Sequence, residues 1–118
     1  MKLCVKRIYE PAAKGDGARI LVDRLWPRGI ARAKARVDLW LKEIAPSDAL
    51  RKEFHGHPEN WAVFKRAYFA ELKSPEAKEA AKQLRACLRK GPVTLLYAAK
   101  DEAHNNAVAL QAWLRRKR

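Results

Sequence analysis

Alternation and clustering of apolar residues predict three strands in this chain. Residues 3–9 alternate between apolar and polar side chains, as a half-buried strand does. Residues 20–25 and 93–99 are mostly apolar, which favours strands covered on both faces of a sheet. The connection 10–19 is rich in glycine and short for a helical crossover. The first two strands are therefore either antiparallel, or parallel with an irregular crossing.

Helical spacing of apolar residues and capping residues predict several helices between the second and third strands. They are expected at 38–45, at 48–54 behind a Ser47 cap, at 58–72 behind Pro58, and at 75–90 between Ser74 and Gly91. A last helix is expected from an Asp101 cap through Leu114. Intervening helices favour a right-handed crossover, so strands 20–25 and 93–99 are predicted to be parallel neighbours.

This order of elements predicts a single α/β domain over residues 1–118, with a basic tail at 115–118. The sheet is expected to be short, mostly parallel and flanked by helices, in a three-layer sandwich-like arrangement. A length of 118 residues suffices for one hydrophobic core.

Charge is the most informative feature of the composition. The chain has 26 Lys and Arg residues against 13 Asp and Glu residues, a formal net charge of +13. This balance favours anionic partners such as nucleic acid or phosphorylated metabolites. No apolar run approaches the ~20 residues of a membrane span, and none is typical of a signal peptide. A cytoplasmic location without a membrane partner is predicted, with Cys4 and Cys87 reduced and partly buried.

Two charged motifs follow the second and third strands. "DRLWPRG" begins at Asp23 and "KDEAHNN" begins at Lys100. Open α/β sheets bind ligands where parallel strands end, so both motifs are expected to border one crevice. Cations and the start of the last helix would suit a phosphate or carboxylate there. The predicted anion-binding residues are Arg24, Arg28, Lys100, Asp101 and Asn105, and the predicted acid–base residues are His104 and Asp23.

Structural roles compete with these assignments. Asp23 could form an ion pair with Arg24 or Arg7, and Asp101 could only cap the last helix. His104 is expected in the first turn of that helix, where the dipole favours a neutral imidazole, but it could equally cap or pack.

Local sequence chemistry adds two further expectations. Trp26-Pro27 favours a packed, rigid turn over a ligand platform. Asn105 and Asn106 are poor helix formers beside a helix start, and such conflicts are common at functional sites.

Motifs for cofactors, metals and covalent catalysis are missing from the sequence. It contains no glycine-rich phosphate loop, dinucleotide fingerprint or nucleophile elbow. The histidines at 55, 57 and 104 lack the spacing of a zinc site. No cofactor, metal or covalent nucleophile is therefore predicted.

Three stretches resemble the YeaO-like family, small bacterial and archaeal proteins with a domain of unknown function. They are "ILVDRLWPRGI" from Ile20, "WLKEIAPSDALRKEF" from Trp40 and "GPVTLLYAAKDEAHNNAVAL" from Gly91. The resemblance covers essentially the whole chain, implies a small α/β sandwich and leaves the activity open. His57 stands where the family is expected to carry Asp. Broader relatives carry a Cys-His-Arg element after the last strand, which "KDEAHNN" lacks, so no thiolate mechanism carries over.

Three functional hypotheses follow. In the first, the strand-end pocket binds a small anion and could act enzymatically on a phosphorylated molecule. In the second, the chain binds nucleic acid or regulates without catalysis, through basic residues such as Arg85, Arg89, Lys90 and the tail. In the third, the charged strand ends form a structural ion network without a ligand. The oligomeric state is left open.

Overall fold

The computed structural model describes residues 2–116, which form a parallel sheet with helices packed against it. The strands are β1 (Leu3–Arg7), β2 (Ala18–Leu21), β3 (Leu39–Trp40) and β4 (Val93–Tyr97). The helices are α1 (Arg32–Ala35), α2 (Asp48–Phe54), α3 (Trp61–Glu71), α4 (Pro75–Lys90) and α5 (Asn106–Arg116). Short 3₁₀ turns lie at Lys14–Asp16, Lys42–Ile44 and Pro58–Asn60. The predicted α/β class is confirmed.

Every pairing in the sheet is parallel, in the order β1-β4-β2-β3. Leu95 of β4 lies opposite Val5 of β1 on one side and Ile20 of β2 on the other. β1 and β2 are therefore not neighbours, because β4 lies between them. The predicted parallel pairing of the second and third strands is confirmed, so β2 and β4 end at the same edge of the sheet.

Side-chain caps define the starts of α2 and α4. Ser47 Oγ accepts a hydrogen bond from the N–H of Leu50, and Ser74 Oγ accepts one from Ala77. These hydroxyls satisfy N–H groups that have no partner within the helix. The predicted helices at 48–54 and 75–90 are confirmed, and 58–72 begins as a 3₁₀ turn before α3.

The prediction of a helix at 38–45 is wrong. Leu39 and Trp40 instead form β3, which pairs with Ile20 and Leu21 of β2. Trp40 Nε1 also donates to the carbonyl of Asp23 over 2.7 Å. A short apolar run fits a helix or a strand pattern equally. Here the run forms a strand because it can pair with the edge of β2 that β4 leaves open.

The second strand and the last helix are both shorter than predicted. β2 ends at Leu21, and Leu25 is 61% exposed. α5 begins at Asn106, and the Asp101 carboxylate caps a separate turn before it, accepting the N–H groups of Ala103 and His104. The prediction that His104 lies in the first turn of the helix is therefore wrong.

The two faces of the sheet are covered unequally. The main core joins one face to helices α2–α5 and includes Ile20, Phe64, Leu84, Leu95 and Leu110. The other face carries a smaller cluster of Ile8, Leu21, Ala35 and Leu96, against which Trp26, Ile30, Val37 and Trp40 pack. The segment between β2 and β3 thus forms a thin layer over this second face.

Three further sequence predictions concern cysteines, membrane contact and the tail. Cys87 is a half-buried free thiol as predicted, whereas Cys4 is exposed, so its predicted partial burial is wrong. No helix within residues 2–116 is long and apolar enough to cross a membrane. Arg115 and Arg116 end α5, and residues 117 and 118 of the predicted tail lie outside the described residues.

Candidate functional site

Asp23 joins the elements that meet at the carboxyl edge of β2 and β4. Its Oδ2 accepts the N–H of Ala98, just after β4, at 3.0 Å. Its Oδ1 accepts the side-chain amide of Asn106 at 3.0 Å, and the same amide donates to the carbonyl of Val22 at 2.9 Å. One carboxylate therefore connects β2, β4 and the start of α5.

The environment of Asp23 disfavours its charged form. Burial raises the pKa of Asp23 above its ordinary value, because the carboxylate loses hydration. Hydrogen bonds from Asn106 and Ala98, and the charge of Arg51, lower the pKa and offset part of that effect. Both oxygens of Asp23 already accept hydrogen bonds from the protein, which is the arrangement of a structural carboxyl group.

The loop between β4 and α5 orders an aspartate and a histidine together. Asp101 Oδ2 lies 3.1 Å from His104 Nδ1, and the imidazole meets the Trp61 ring edge-on with centroids 5.2 Å apart. Hydrogen bonds from the N–H groups of His104 and Ala103 hold the pKa of Asp101 below its usual range. An oriented imidazole of this kind resembles the base of an acid–base pair.

The side chain of Asn105 joins the loop after β4 to the start of α5. Its side chain is buried, with Nδ2 donating to the carbonyl of Asp101 and Oδ1 accepting the N–H of Val108. Asn105 therefore caps α5, which is the role the sequence assigned to Asp101.

Arg24 lies apart from the Asp101–His104 pair. Its guanidinium donates to the carbonyls of Ala45 and Pro46, over 2.8 and 3.2 Å. It lines a cleft of ≈ 320 Å³ whose walls include Glu43 and Glu71. Carboxylates in that cleft make it a poor environment for an anion.

Arg28 and Lys100 are exposed, and within residues 2–116 neither side chain has a hydrogen-bond or ion-pair partner. Only the backbone of Arg28 is engaged, since its carbonyl accepts the Tyr9 hydroxyl at 2.7 Å. Arg7, a possible partner of Asp23, instead donates to the carbonyls of Ala98 and Ala99. The fold thus brings Asp23, Asp101, His104 and Asn105 to one edge, but gives Arg24, Arg28 and Lys100 separate surroundings.

A second group of side chains lies over the thinly covered face of the sheet. Trp26 and Trp40 meet edge-on, with ring centroids 5.5 Å apart. The Arg32 guanidinium lies 4.8 Å from the Trp26 centroid and 5.3 Å from that of Trp40. Lys42 Nζ lies 4.3 Å from the Trp40 centroid. We call Trp26, Arg32, Trp40 and Lys42 the arginine–tryptophan cluster.

Side-chain hydrogen bonds stabilise the backbone that carries this cluster. The buried guanidinium of Arg19 donates to the carbonyls of Ala35 and Arg36, at 2.8 and 3.0 Å, and forms an ion pair of 2.6 Å with Asp16. Trp26 Nε1 donates to the carbonyl of Ile30 at 2.8 Å, which confirms the predicted rigid turn. Side-chain hydrogen bonds therefore stabilise the backbone of the segment between β2 and β3.

Two residues with long-range contacts have no functional role predicted from the sequence. Asn106 is a poor helix former, and this local conflict coincides with the place where its amide binds Asp23. Arg32 has no distinguishing signal in the sequence, because Trp40, whose ring it contacts, lies in a segment whose pattern predicts a helix.

Comparison with known proteins identifies the family. A family model described as the inactive DUF488-N3 subclade matches residues 2–118, and the chain belongs to this YeaO-like family. The uncharacterised protein YeaO of Escherichia coli (strain K12) is 49% identical over 115 residues, covering 98% of both chains. An uncharacterised protein of Mycobacterium tuberculosis (strain H37Rv) is 38% identical over 106 residues, covering 90% of this chain and 87% of its own. No solved structure matches significantly.

Proposed function

We propose that this protein binds nucleic acid through its basic surface, without catalysis. The main support is the segment 24–37, which contains no acidic residue. Its exposed cations are Arg28, Arg32, Lys34 and Arg36. The description of the family as an inactive subclade also favours a role without catalysis.

The acidic residues leave a large excess of positive charge, which is a second support for this proposal. Several carboxylates accept hydrogen bonds from backbone N–H groups of the protein, namely those of Glu10, Asp16, Asp23, Asp38, Glu71 and Asp101. These carboxylates keep their negative charge, and the formal net charge of +13 already counts them. The remaining excess of cations favours an external polyanion. A nucleic-acid partner accords with the cytoplasmic location that we also propose.

Binding to oligonucleotides across a salt series tests the proposal. Phosphate contacts release counterions, so the logarithm of the affinity should fall linearly with the logarithm of salt concentration, by about 0.9 per phosphate neutralised. Fluorescence anisotropy with labelled duplex DNA, duplex RNA and single strands measures this slope. Absence of binding to all three at about 50 mM salt would refute nucleic-acid binding.

A second candidate function is binding or acid–base chemistry of a small anion at the strand edge. Its specific support is the imidazole of His104, held by Asp101 against Trp61 beside two strand ends. In this proposal the imidazole of His104 transfers a proton and Asp101 orients it. The exposed cations Arg28 and Lys100 bind the anion.

Thermal unfolding with inorganic phosphate, nucleotides, sugar phosphates and carboxylates tests the second candidate. One of these anions should raise the Tm of the wild type, because a ligand that binds only the folded state stabilises it. The rise should be lost in Arg28→Ala and His104→Ala. A rise that survives in both variants, or no rise with any anion, would reject the site.

A further inference from the structure

We infer that Arg32 is the central phosphate-binding residue of a duplex-binding surface formed by residues 26–37 together with Trp40 and Lys42. The inference rests on the nucleic-acid binding proposed above and assigns it to one face of the molecule. This surface lies over the second face of the sheet, away from the Asp101–His104 loop and from α4.

The contacts of Arg32 prepare its guanidinium for a phosphate. Both tryptophan rings lie within cation–π distance of it, at 4.8 and 5.3 Å. A guanidinium in cation–π contact with aromatic rings can still donate its N–H groups to a phosphate in bidentate fashion. Arg32 has no acidic partner among the residues that the structure describes.

The surrounding cations are attached to a fixed backbone. Tyr9, Trp26 and Arg19 donate to four carbonyls of the segment, those of Arg28, Ile30, Ala35 and Arg36. The side chains of Arg28, Lys34 and Arg36 therefore start from defined positions around Arg32. Preorganised cations lose less conformational entropy on binding than cations on a flexible backbone do.

Duplex nucleic acid fits this surface better than a single strand. Single-strand binding proteins stack bases on open aromatic faces. Here Trp26 and Trp40 pack on the small core and on each other, and their faces are covered by Arg32 and Lys42. The surface offers cations rather than stacking platforms. A duplex presents the denser row of phosphates, about one charge per 1.7 Å.

A pair of variants with equal charge loss tests the inference. Arg32→Gln removes the guanidinium beside the two tryptophan rings, and Lys82→Gln removes an exposed cation of α4 on the other side of the sheet. Duplex DNA binding is measured by anisotropy over a salt series, for both variants and for Arg32→Lys. Circular dichroism and thermal unfolding verify that each variant is folded.

We expect Arg32→Gln to weaken duplex binding about tenfold and to reduce the salt slope by about 0.9, as for one lost phosphate contact. Lys82→Gln should leave both nearly unchanged, and Arg32→Lys should lie between because it keeps charge without the planar fork. Equal losses in the two glutamine variants, or tighter binding of single strands than of duplex, would overturn the inference. A wild type that binds no nucleic acid would instead refute the underlying function.

Discussion

The side-chain amide of Asn106 donates to the carboxylate of Asp23 over 3.0 Å, although the two residues lie 83 positions apart in the chain. The contact joins the start of α5 to the end of β2. It places a carboxyl group of raised pKa among hydrogen-bond donors at the edge of the sheet. The relationship can be tested through the titration of Asp23.

Asn106→Ala should raise the pKa of Asp23 further. Burial already raises this pKa, and the amide of Asn106 is a donor that stabilises the charged form. A carboxyl whose pKa is raised by folding stabilises the protein below its unfolded pKa and loses that contribution as pH rises through the folded value. In the variant, the fall in stability should extend to higher pH.

Titration of the Asp23 carboxyl carbon by NMR measures this pKa directly. Asn60→Ala, which removes an exposed amide before α3, is the matched control and should leave the pKa unchanged. An unchanged or lower pKa of Asp23 in Asn106→Ala would show that the amide does not stabilise the carboxylate.

Arg19→Ala should destabilise the protein by about 3 kcal/mol, the lower end of the range for a broken buried ion pair, because Asp16 keeps Lys6 at 3.2 Å. Arg19 is 5% exposed and Asp16 is 8% exposed, and their charged atoms lie 2.6 Å apart. The variant also leaves the carbonyls of Ala35 and Arg36 without the donor they have now. Urea denaturation gives the change in the free energy of unfolding.

Arg51→Ala is the control for this comparison, since Arg51 forms an exposed ion pair of 3.5 Å with Asp48. Exposed pairs contribute about 0–1 kcal/mol, so this variant should be nearly as stable as the wild type. Similar losses in the two variants would mean that the Arg19 contacts do not fix the segment between β2 and β3.

Gly17→Ala should destabilise the protein by more than about 1 kcal/mol, whereas Gly15→Ala should have little effect. Gly17 has φ +65°, and an added Cβ would lie 2.2 Å from the carbonyl oxygen of Pro92. That oxygen accepts the N–H of Ala18 where β2 meets β4. Nothing lies within 4 Å of a Cβ at Gly15. Equal Tm values for the two variants would contradict the close approach of the strands at Gly17.

His104→Ala should leave the pKa of Asp101 below its usual range. The N–H groups of His104 and Ala103 are the first causes of the lowered pKa, ahead of the imidazole, and they persist in the variant. A carboxyl of lowered pKa stabilises the fold above its unfolded pKa and loses that contribution as pH falls through the folded value. NMR titration of Asp101 tests this, and a return to the ordinary pKa would assign the effect to the imidazole.

Local signals in the sequence predicted most of the helices. The hydroxyls of Ser47 and Ser74 and the glycine at 91 act within a few residues, so their effect does not depend on distant packing. The parallel pairing of β2 and β4 was also predictable, because helices between two strands leave a crossover as the natural connection.

Long-range contacts decided what the sequence left open or misassigned. Residues 38–45 fit a helix by pattern, yet Leu39 pairs with Ile20 because β2 has a free edge. The predicted Asp101 cap of α5 is wrong for a related reason: Asp101 and Asn105 both suit a cap, and local spacing does not distinguish them. Their roles follow from the turn after β4, where Asn105 is buried and accepts the N–H of Val108.

The sequence by itself determined the class of the fold, its basic charge and the charged motifs at two strand ends, since these depend on composition and short-range pattern. Only the tertiary structure decided that Asp23 binds Asn106 and that Arg24 donates to the carbonyls of Ala45 and Pro46. It also decided that the Arg32 guanidinium lies within cation–π distance of two tryptophans. Each of these contacts joins separate elements across the fold. Periodicity along a chain holds no information on which side chains meet when strands pair and helices pack.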